Sequence, residues 1–331
     1  MKWALTLMAA AGVFLATLSP AAPPPRAPET RRIAGRDYVR LSEWARANHC
    51  DSGWLKRDET FQVSNRQAKI LLTVDSRETE LNGVEVLLSF PLVDQAGAAY
   101  ISQLDARATL QPMLFPPKNA AGTKIRSVCL DPGHGGKDPG EQTGSNAEKK
   151  FTLLLADEVR KQLSHAGLKA SLTRSSDKFV DLPDRPEIAR QRGADLFVSL
   201  HFNSSKTARE SVHGSEVYCL TPQGANSTND AGEAGDTSWC VGNRNNDKNV
   251  YLAYQLQRAL TRGAGVGDHG VRRARYAVLR DAVMPAVLVE AGFLSHPEES
   301  RKILTSAYRR QLAHALVEGL MAYKHQVEVG S

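Results

Sequence analysis

The sequence predicts an α/β protein, a twisted mixed sheet flanked by helices, preceded by a small α+β domain. Three observations carry that prediction. Beyond residue 124, apolar runs of strand length alternate with stretches whose apolar residues recur at helical spacing. Before residue 116 the runs are short and separated by turn residues. Between them lies Pro116-Pro117-Lys118-Asn119 through Gly122, which has the composition of a linker.

In chain order, Met1-Lys2 is a short positive segment, Trp3 to Leu18 is apolar, and Ser19-Pro20-Ala21-Ala22 supplies small residues. Residues 1–22 therefore read as a secretory signal peptide. No later apolar stretch is long enough to cross a bilayer, so no stable membrane span is expected after signal cleavage. This predicts a periplasmic or secreted protein. Residues 23–31, opening on Pro23-Pro24-Pro25, read as an extended tether.

Residues 32–115 read as the small domain. Tyr38-Val39-Arg40-Leu41 predicts a strand, with Ser42 capping a helix that begins at Glu43-Trp44-Ala45. Phe61-Gln62-Val63 and Ile70 to Val74 predict strands, and Asn82-Gly83 predicts a hairpin turn before Val84 to Leu87. Tyr100-Ile101-Ser102 repeats the opening pattern of Tyr, β-branched residue, polar residue, helix. The segment holds no cluster of catalytic groups and reads as a binding or spacing module. After the 116–124 linker, residues 125–325 form the large unit. Ile125 to Leu130, Leu196 to Leu200 and Ala286 to Val289 predict buried strands. Phe151, Leu154, Leu155, Val159 and Leu163 predict one helix, and Leu252, Leu256 and Leu260 a second. Leu304, Tyr308, Leu312, Leu316 and Leu320 predict a long final helix.

Charge narrows the partners only a little. The formal net charge of +6 suits an anionic partner, and it equally suits a solvated basic surface. No basic run is interleaved with aromatic residues, so nucleic-acid binding is not expected. Cys50, Cys129, Cys219 and Cys240 contain no CxxC spacing. Cys129 sits in an apolar run and reads as a buried small hydrophobe. The spacing leaves open whether Cys219 and Cys240 pair.

Sites in open α/β sheets gather beyond the carboxyl ends of strands. His134 follows the first strand of the large unit, within Gly133-His134-Gly135-Gly136, where glycines allow a sharp turn. His201 follows the second strand and Glu290 the third. Glu148 sits just inside the first helix. Two histidines and a glutamate suit catalytic zinc, leaving a fourth position for water. A second carboxylate should then move a proton from water to the leaving amine, and Glu290 is the candidate. Taken singly, each residue also has a structural reading. His134 can be a loop histidine, His201 an edge histidine, and Glu148 a first-turn acid favoured by the helix dipole. Glu290 is harder to read that way, because a carboxylate buried without a partner is costly.

The stretch Leu130-Asp131-Pro132-Gly133-His134-Gly135-Gly136-Lys137-Asp138-Pro139-Gly140 resembles the opening motif of the N-acetylmuramoyl-L-alanine amidase 3 family. Glu148-Lys149 is similar to its second ligand motif. Thr173-Arg174, Leu182, Arg185 and Ala194 to Asn203 are similar to its middle block, and Met284 to Ser295 to its closing block. The resemblance runs from about 125 to 325. It implies zinc on His134, Glu148 and His201, with Glu290 as catalytic acid/base. It also implies hydrolysis of the amide between N-acetylmuramic acid and L-alanine in peptidoglycan. Arg190 and His296 stand where the family often has Asn, at positions that are not ligands. His213 is an additional histidine read as structural or substrate-facing. Some members carry a helix in the region of residues 221–248 that plugs the site until a protein activator removes it. Here that stretch has little apolar periodicity, so no plug is expected. Residues 32–115 resemble, over a short and unspecific stretch, the N-terminal-like domain of copper amine oxidases. Two further readings stay open on the ligand set alone: another zinc hydrolase of the wall, a carboxypeptidase or deacetylase, and a wall-binding protein without catalysis.

Overall fold

The computed structural model describes residues 28–229 and 235–328. The predicted signal peptide and most of the tether lie outside the described residues.

The N-terminal part begins with β1 (Thr30–Ile33), β2 (Arg36–Arg40) and α1 (Leu41–Ala47). The first strand starts inside the predicted tether, because Thr30 pairs with Val39 across the β1–β2 hairpin. The helix starts one residue before the predicted cap, with Arg40 at the N-cap position. Then come β3 (Asp51–Lys56), β4 (Thr60–Ser64), β5 (Lys69–Thr73), β6 (Glu78–Leu81) and β7 (Val84–Leu87), an antiparallel meander. Alternation drives it: β4 buries Phe61 and Val63, and β5 buries Ile70 and Leu72. Asn82 and Gly83 both take positive φ, 49° and 83°, as a type I′ hairpin requires. Strands β8 (Val93–Gln95) and β9 (Ala98–Ser102) follow. Then come α2 (Gln103–Asp105), a π-helical turn at Ala106–Leu110, and α3 (Gln111–Leu114). The two similar segments noted in the sequence are sheet neighbours, Tyr38 opposite Ser102 and Arg40 opposite Tyr100.

The large unit contains β10 (Ser127–Pro132), the short hairpin β11 (Gln142–Thr143) and β12 (Asn146–Ala147), α4 (Glu148–His165) and β13 (Lys169–Leu172). It continues with α5 (Asp184–Gln191), β14 (Leu196–Asn203), β15 (Ser215–Leu220) and α6 (Asn246–Gly263). It ends with β16 (Asp268–Ala274), α7 (Ala277–Arg280), β17 (Ala286–Phe293), α8 (Pro297–Ile303) and α9 (Ser306–Glu328). The mixed sheet runs β13-β10-β14-β17-β15-β16, parallel except where β15 meets β17. Strand alternation splits the core over two faces. Val128, Leu130, Val198, Val287 and Val289 join residues of α4, α6 and α9 on one face. Cys129, Phe197 and Leu288 join Ala189 of α5 and Val278 of α7 on the other. Leu154, expected in the buried stripe of α4, is 40% exposed. Leu304 closes α8 rather than opening α9.

The sheet does not stop at the large unit. Val271 of β16 bridges to Val86 of β7, and the meander continues the same sheet to eleven strands. Arg273, 1% exposed, donates to the carbonyl of Ala108 and to Thr109 Oγ1 in the π-helical turn. Periodicity reveals each strand but not its partners, which is why this continuity is invisible in the sequence. All four cysteines are free, so Cys219 and Cys240 are not bridged.

Candidate active site

Strand β10 carries Asp131 and Pro132 to the carboxyl edge of the sheet, and His134 stands just past them at φ 60°. A non-glycine residue in that region is strained, so something must hold it. Asp131 is fully buried and accepts from Thr173 Oγ1 (2.5 Å), Ser199 Oγ (2.7 Å) and Arg185 Nη1 (2.9 Å). Arg185, 2% exposed, also donates to the carbonyls of Pro132 and His134. Arg174 donates to the carbonyls of Pro132 and Gly133. Two buried guanidiniums and one buried carboxylate thus clamp the backbone on both sides of His134. The motif blocks contained these residues, but the sequence did not disclose their role.

His201 lies within β14, which runs on to Asn203, and Glu290 lies within β17, which runs on to Phe293. Both strands extend beyond the expected ends. Parallel pairing sets His201 directly opposite Glu290. Glu148 is the first residue of α4, where a carboxylate also meets the positive end of the helix dipole.

The three expected ligands come together. His134 Nε2 is 3.0 Å from Glu148 Oε2, and His201 Nδ1 is 3.1 Å from Glu148 Oε1. One ligand atom from each of His134, Glu148 and His201 lies within 4.8 Å of the others. The backbone amides of Phe202 and Glu141 donate to the two Glu148 oxygens and fix that carboxylate. His134 Nδ1 is 2.8 Å from Asp138 Oδ2, an orienting contact that leaves Nε2 for the site. Burial opposes a charge on His134, but the carboxylates of Glu148 and Asp138 outweigh it and raise the ring's pKa. Burial likewise opposes the charge on Glu148, and hydrogen bonds with both histidines hold its pKa far below the usual carboxylate range.

Glu290 lines the same cleft, whose volume is about 440 Å³. Its Oε2 is buried without a hydrogen-bond partner among the described residues. Burial, then the charges of Glu148 and Glu216, push its carboxyl well above the usual range. Glu216, which the sequence reading passed over, sits opposite Glu290 on β15. Asn203 Nδ2 (2.5 Å), Tyr218 OH (2.9 Å) and Arg272 Nε (2.6 Å) hold it in place. Tyr276 also lines the cleft, its phenol pushed up to about 12 by burial and by Glu290.

Space at the site is tight. A Cβ on Gly133 would lie 2.2 Å from His201 Cε1 and 2.4 Å from its Nε2. Gly140, at φ 65°, would place a Cβ 2.5 Å from Glu148 Oε2. We therefore expect Gly133→Ala to displace the His201 ring and weaken metal affinity at least about tenfold, the scale of losing an orienting neighbour. Competition with a chelator measures this; unchanged affinity would mean that His201 is not a ligand.

His213 and His296 lie apart from this cluster. His213 is absent from the cleft lining, and its ring lies 5.2 Å from that of His296. His296 caps α8 by accepting from the Glu299 amide. Arg190 pairs with Glu187 on the surface of α5.

The comparisons with known proteins fit this geometry. Residues 128–322 match the family described as N-acetylmuramoyl-L-alanine amidase. The N-acetylmuramoyl-L-alanine amidase AmiA of Escherichia coli is 33% identical, over 78% of this chain and 94% of its own length. AmiC of Neisseria meningitidis is 34% identical, over 59% of this chain and 52% of its own length. Among solved structures, an N-acetylmuramoyl-L-alanine amidase from Clostridium difficile superposes with a TM-score of 0.51 at 30% identity, covering 61% of this chain and 97% of that one. AmiC2 of Nostoc punctiforme gives 0.50 at 32% identity, covering 61% and 98%. Of the three readings left open by the ligand set, these matches select one: the chain belongs to the N-acetylmuramoyl-L-alanine amidase family and hydrolyses the amide that joins N-acetylmuramic acid to L-alanine in peptidoglycan.

Proposed function

We propose that His134, Glu148 and His201 hold a zinc ion and that Glu290 is the acid/base of the amide hydrolysis. The donor set fits the ion. Two imidazole nitrogens and one carboxylate oxygen converge within 4.8 Å, and three protein ligands leave a position open for chemistry. When bound, zinc activates water at neutral pH and polarises a carbonyl oxygen. This chain's residues supply the rest. Asp138 holds the His134 tautomer, and the Phe202 and Glu141 amides hold Glu148. Glu290 accepts the proton of the attacking water and gives it to the departing nitrogen, as the C–N bond breaks to a carboxylic acid and an amine. Its raised affinity for a proton suits the second half of that transfer. The observation that carries the proposal is the buried Glu290 Oε2, without a hydrogen-bond partner among the described residues, beside three converging donors.

Metal content tests it. The purified protein is expected to hold about one zinc per chain, and alanine at His134, Glu148 or His201 to leave less than about a tenth of that. Zinc retained by all three variants would sink the ligand assignment.

We further propose that the chain is exported, since residues 1–22 read as a signal peptide and its substrate is the wall. No helix among the described residues is long and apolar enough to cross a membrane. We take residues 125–325 as the catalytic unit and 32–115 as a spacer or wall-binding unit. No described residue of the 221–248 stretch lines the cleft, which supports a site that needs no partner to unplug it. Residues 230–234 of that stretch lie outside the described residues.

A further inference from the structure

A second cavity, of about 870 Å³, is larger than the catalytic cleft and takes no part in the chemistry above. It lies where the start of α6, residues 222–224, Trp239, the π-helical turn and the 116–124 connection meet. Trp239 lines it and is 49% exposed. An indole is a large apolar surface that chains ordinarily cover, and an exposed one in a polar concavity offers a flat face to a ligand. The Arg244 guanidinium stands 5.6 Å from that ring.

The wall is strongly cationic. Among the described lining residues, Arg107, Lys118, Arg244 and Lys248 stand against one carboxylate, Asp247. Lys118 Nζ and Lys248 Nζ are oriented by neutral oxygens, the Gln326 carbonyl and Asn119 Oδ1, so those contacts leave their charge uncancelled. The cavity is also tied to the catalytic cleft. Arg275 donates to the carbonyls of Ser238 (2.8 Å) and Pro222 (3.2 Å), beside this cavity. The next residue, Tyr276, lines the cleft. The two concavities therefore flank one short segment.

We propose that this cavity is a second binding site for the peptidoglycan strand, an N-acetyl sugar lying on Trp239 and a stem-peptide carboxylate meeting Arg107 and Arg244. The site takes a polymer whose units alternate apolar sugar faces with carboxylates, which is what one aromatic plate ringed by cations recognises. Asn245 and Asn246 are on the same wall; Asn245 Nδ2 donates to the Val283 carbonyl and Asn246 Oδ1 accepts from Asn243 Nδ2, so Asn245 Oδ1 and Asn246 Nδ2 are the atoms offered to sugar hydroxyls and acetyl groups. The inference rests on peptidoglycan being the substrate, as concluded above. The strand would then be held at a point removed from the bond being cut.

The test uses the full zinc-loaded chain with purified sacculi. Trp239→Ala and the double variant Arg107→Ala/Arg244→Ala are compared with the parent by co-sedimentation and by steady-state release of stem peptides. Each should weaken sacculus binding about tenfold, the scale of losing one anchor, with the loss falling on KM rather than kcat. Trp239→Phe, which keeps a flat aromatic face, should restore most of the binding. Thermal melting guards against misfolding, and the two variants alter different elements. Co-sedimentation equal to the parent in both variants overturns the second site. A parent that binds sacculi through Trp239 yet releases no stem peptide would overturn the amidase reading and leave the second site standing.

Discussion

Glu290→Gln is expected to lower kcat on peptidoglycan by about three orders of magnitude, within the range that a positioned acid/base contributes, while zinc content stays at the parental value. Glutamine keeps the shape of the side chain but can neither take a proton from water nor return one to the leaving nitrogen. Loss of activity with metal retained separates this role from ligation. The same substitution should stabilise the metal-free protein at neutral and alkaline pH. Burial and the charges of Glu148 and Glu216 raise the Glu290 pKa above its ordinary 4.5, so the folded chain holds that proton more tightly than the unfolded one. The resulting contribution to stability is fully present below 4.5 and is lost as pH rises toward the folded-state value. Glutamine cannot suffer that loss. Melting temperatures of the chelated parent and variant should therefore diverge, in the variant's favour, as pH rises from about 4 to about 8. Parallel pH profiles would show that Glu290 is not buried as a costly charge.

The second large effect belongs to Arg185. Its guanidinium is 2.9 Å from Asp131 Oδ1, with 2% and 0% of the two side chains exposed. Breaking a buried pair from one side leaves a bare charge in the interior, at a cost of about 3–5 kcal/mol. Arg185→Met should lower unfolding free energy by that amount in denaturant titrations. Because Arg185 also holds the His134 carbonyl, zinc affinity should fall with it. Adding Asp131→Asn to the same chain should recover part of the stability, since it removes the stranded charge. A single variant as stable as the parent would mean that this clamp is not what keeps His134 in its strained conformation.

Much of this arrangement was legible in the sequence. Buried strands ending in polar residues placed His134, His201 and Glu290 at one edge of a sheet, a helix start added Glu148, and the resemblance implied the role of each. What composition and period cannot convey is pairing. Nothing along the chain announces that Glu290 stands opposite His201 or that Glu216 faces Glu290 from the other side, because register is a relation between strands distant in sequence. The same limit hid the join between β7 and β16, so that two stretches with different texture turned out to share one sheet. Arg174, Arg185 and Arg273 were hidden for a different reason. Arginine is usually a surface residue, and only burial reveals that these three tie backbone carbonyls in the interior. Leu154 shows the converse, an apolar residue at helical spacing that the fold leaves outside.

The most direct measurement is mass spectrometry of the products released from purified sacculi by the zinc-loaded chain, with and without a chelator. Free stem peptides beginning with L-alanine are expected, together with glycan strands bearing unsubstituted N-acetylmuramic acid, and no release once the metal is removed. Stem peptides shortened by terminal D-alanine, or sugars that have lost acetate, with the muramoyl amide intact, would contradict that expectation.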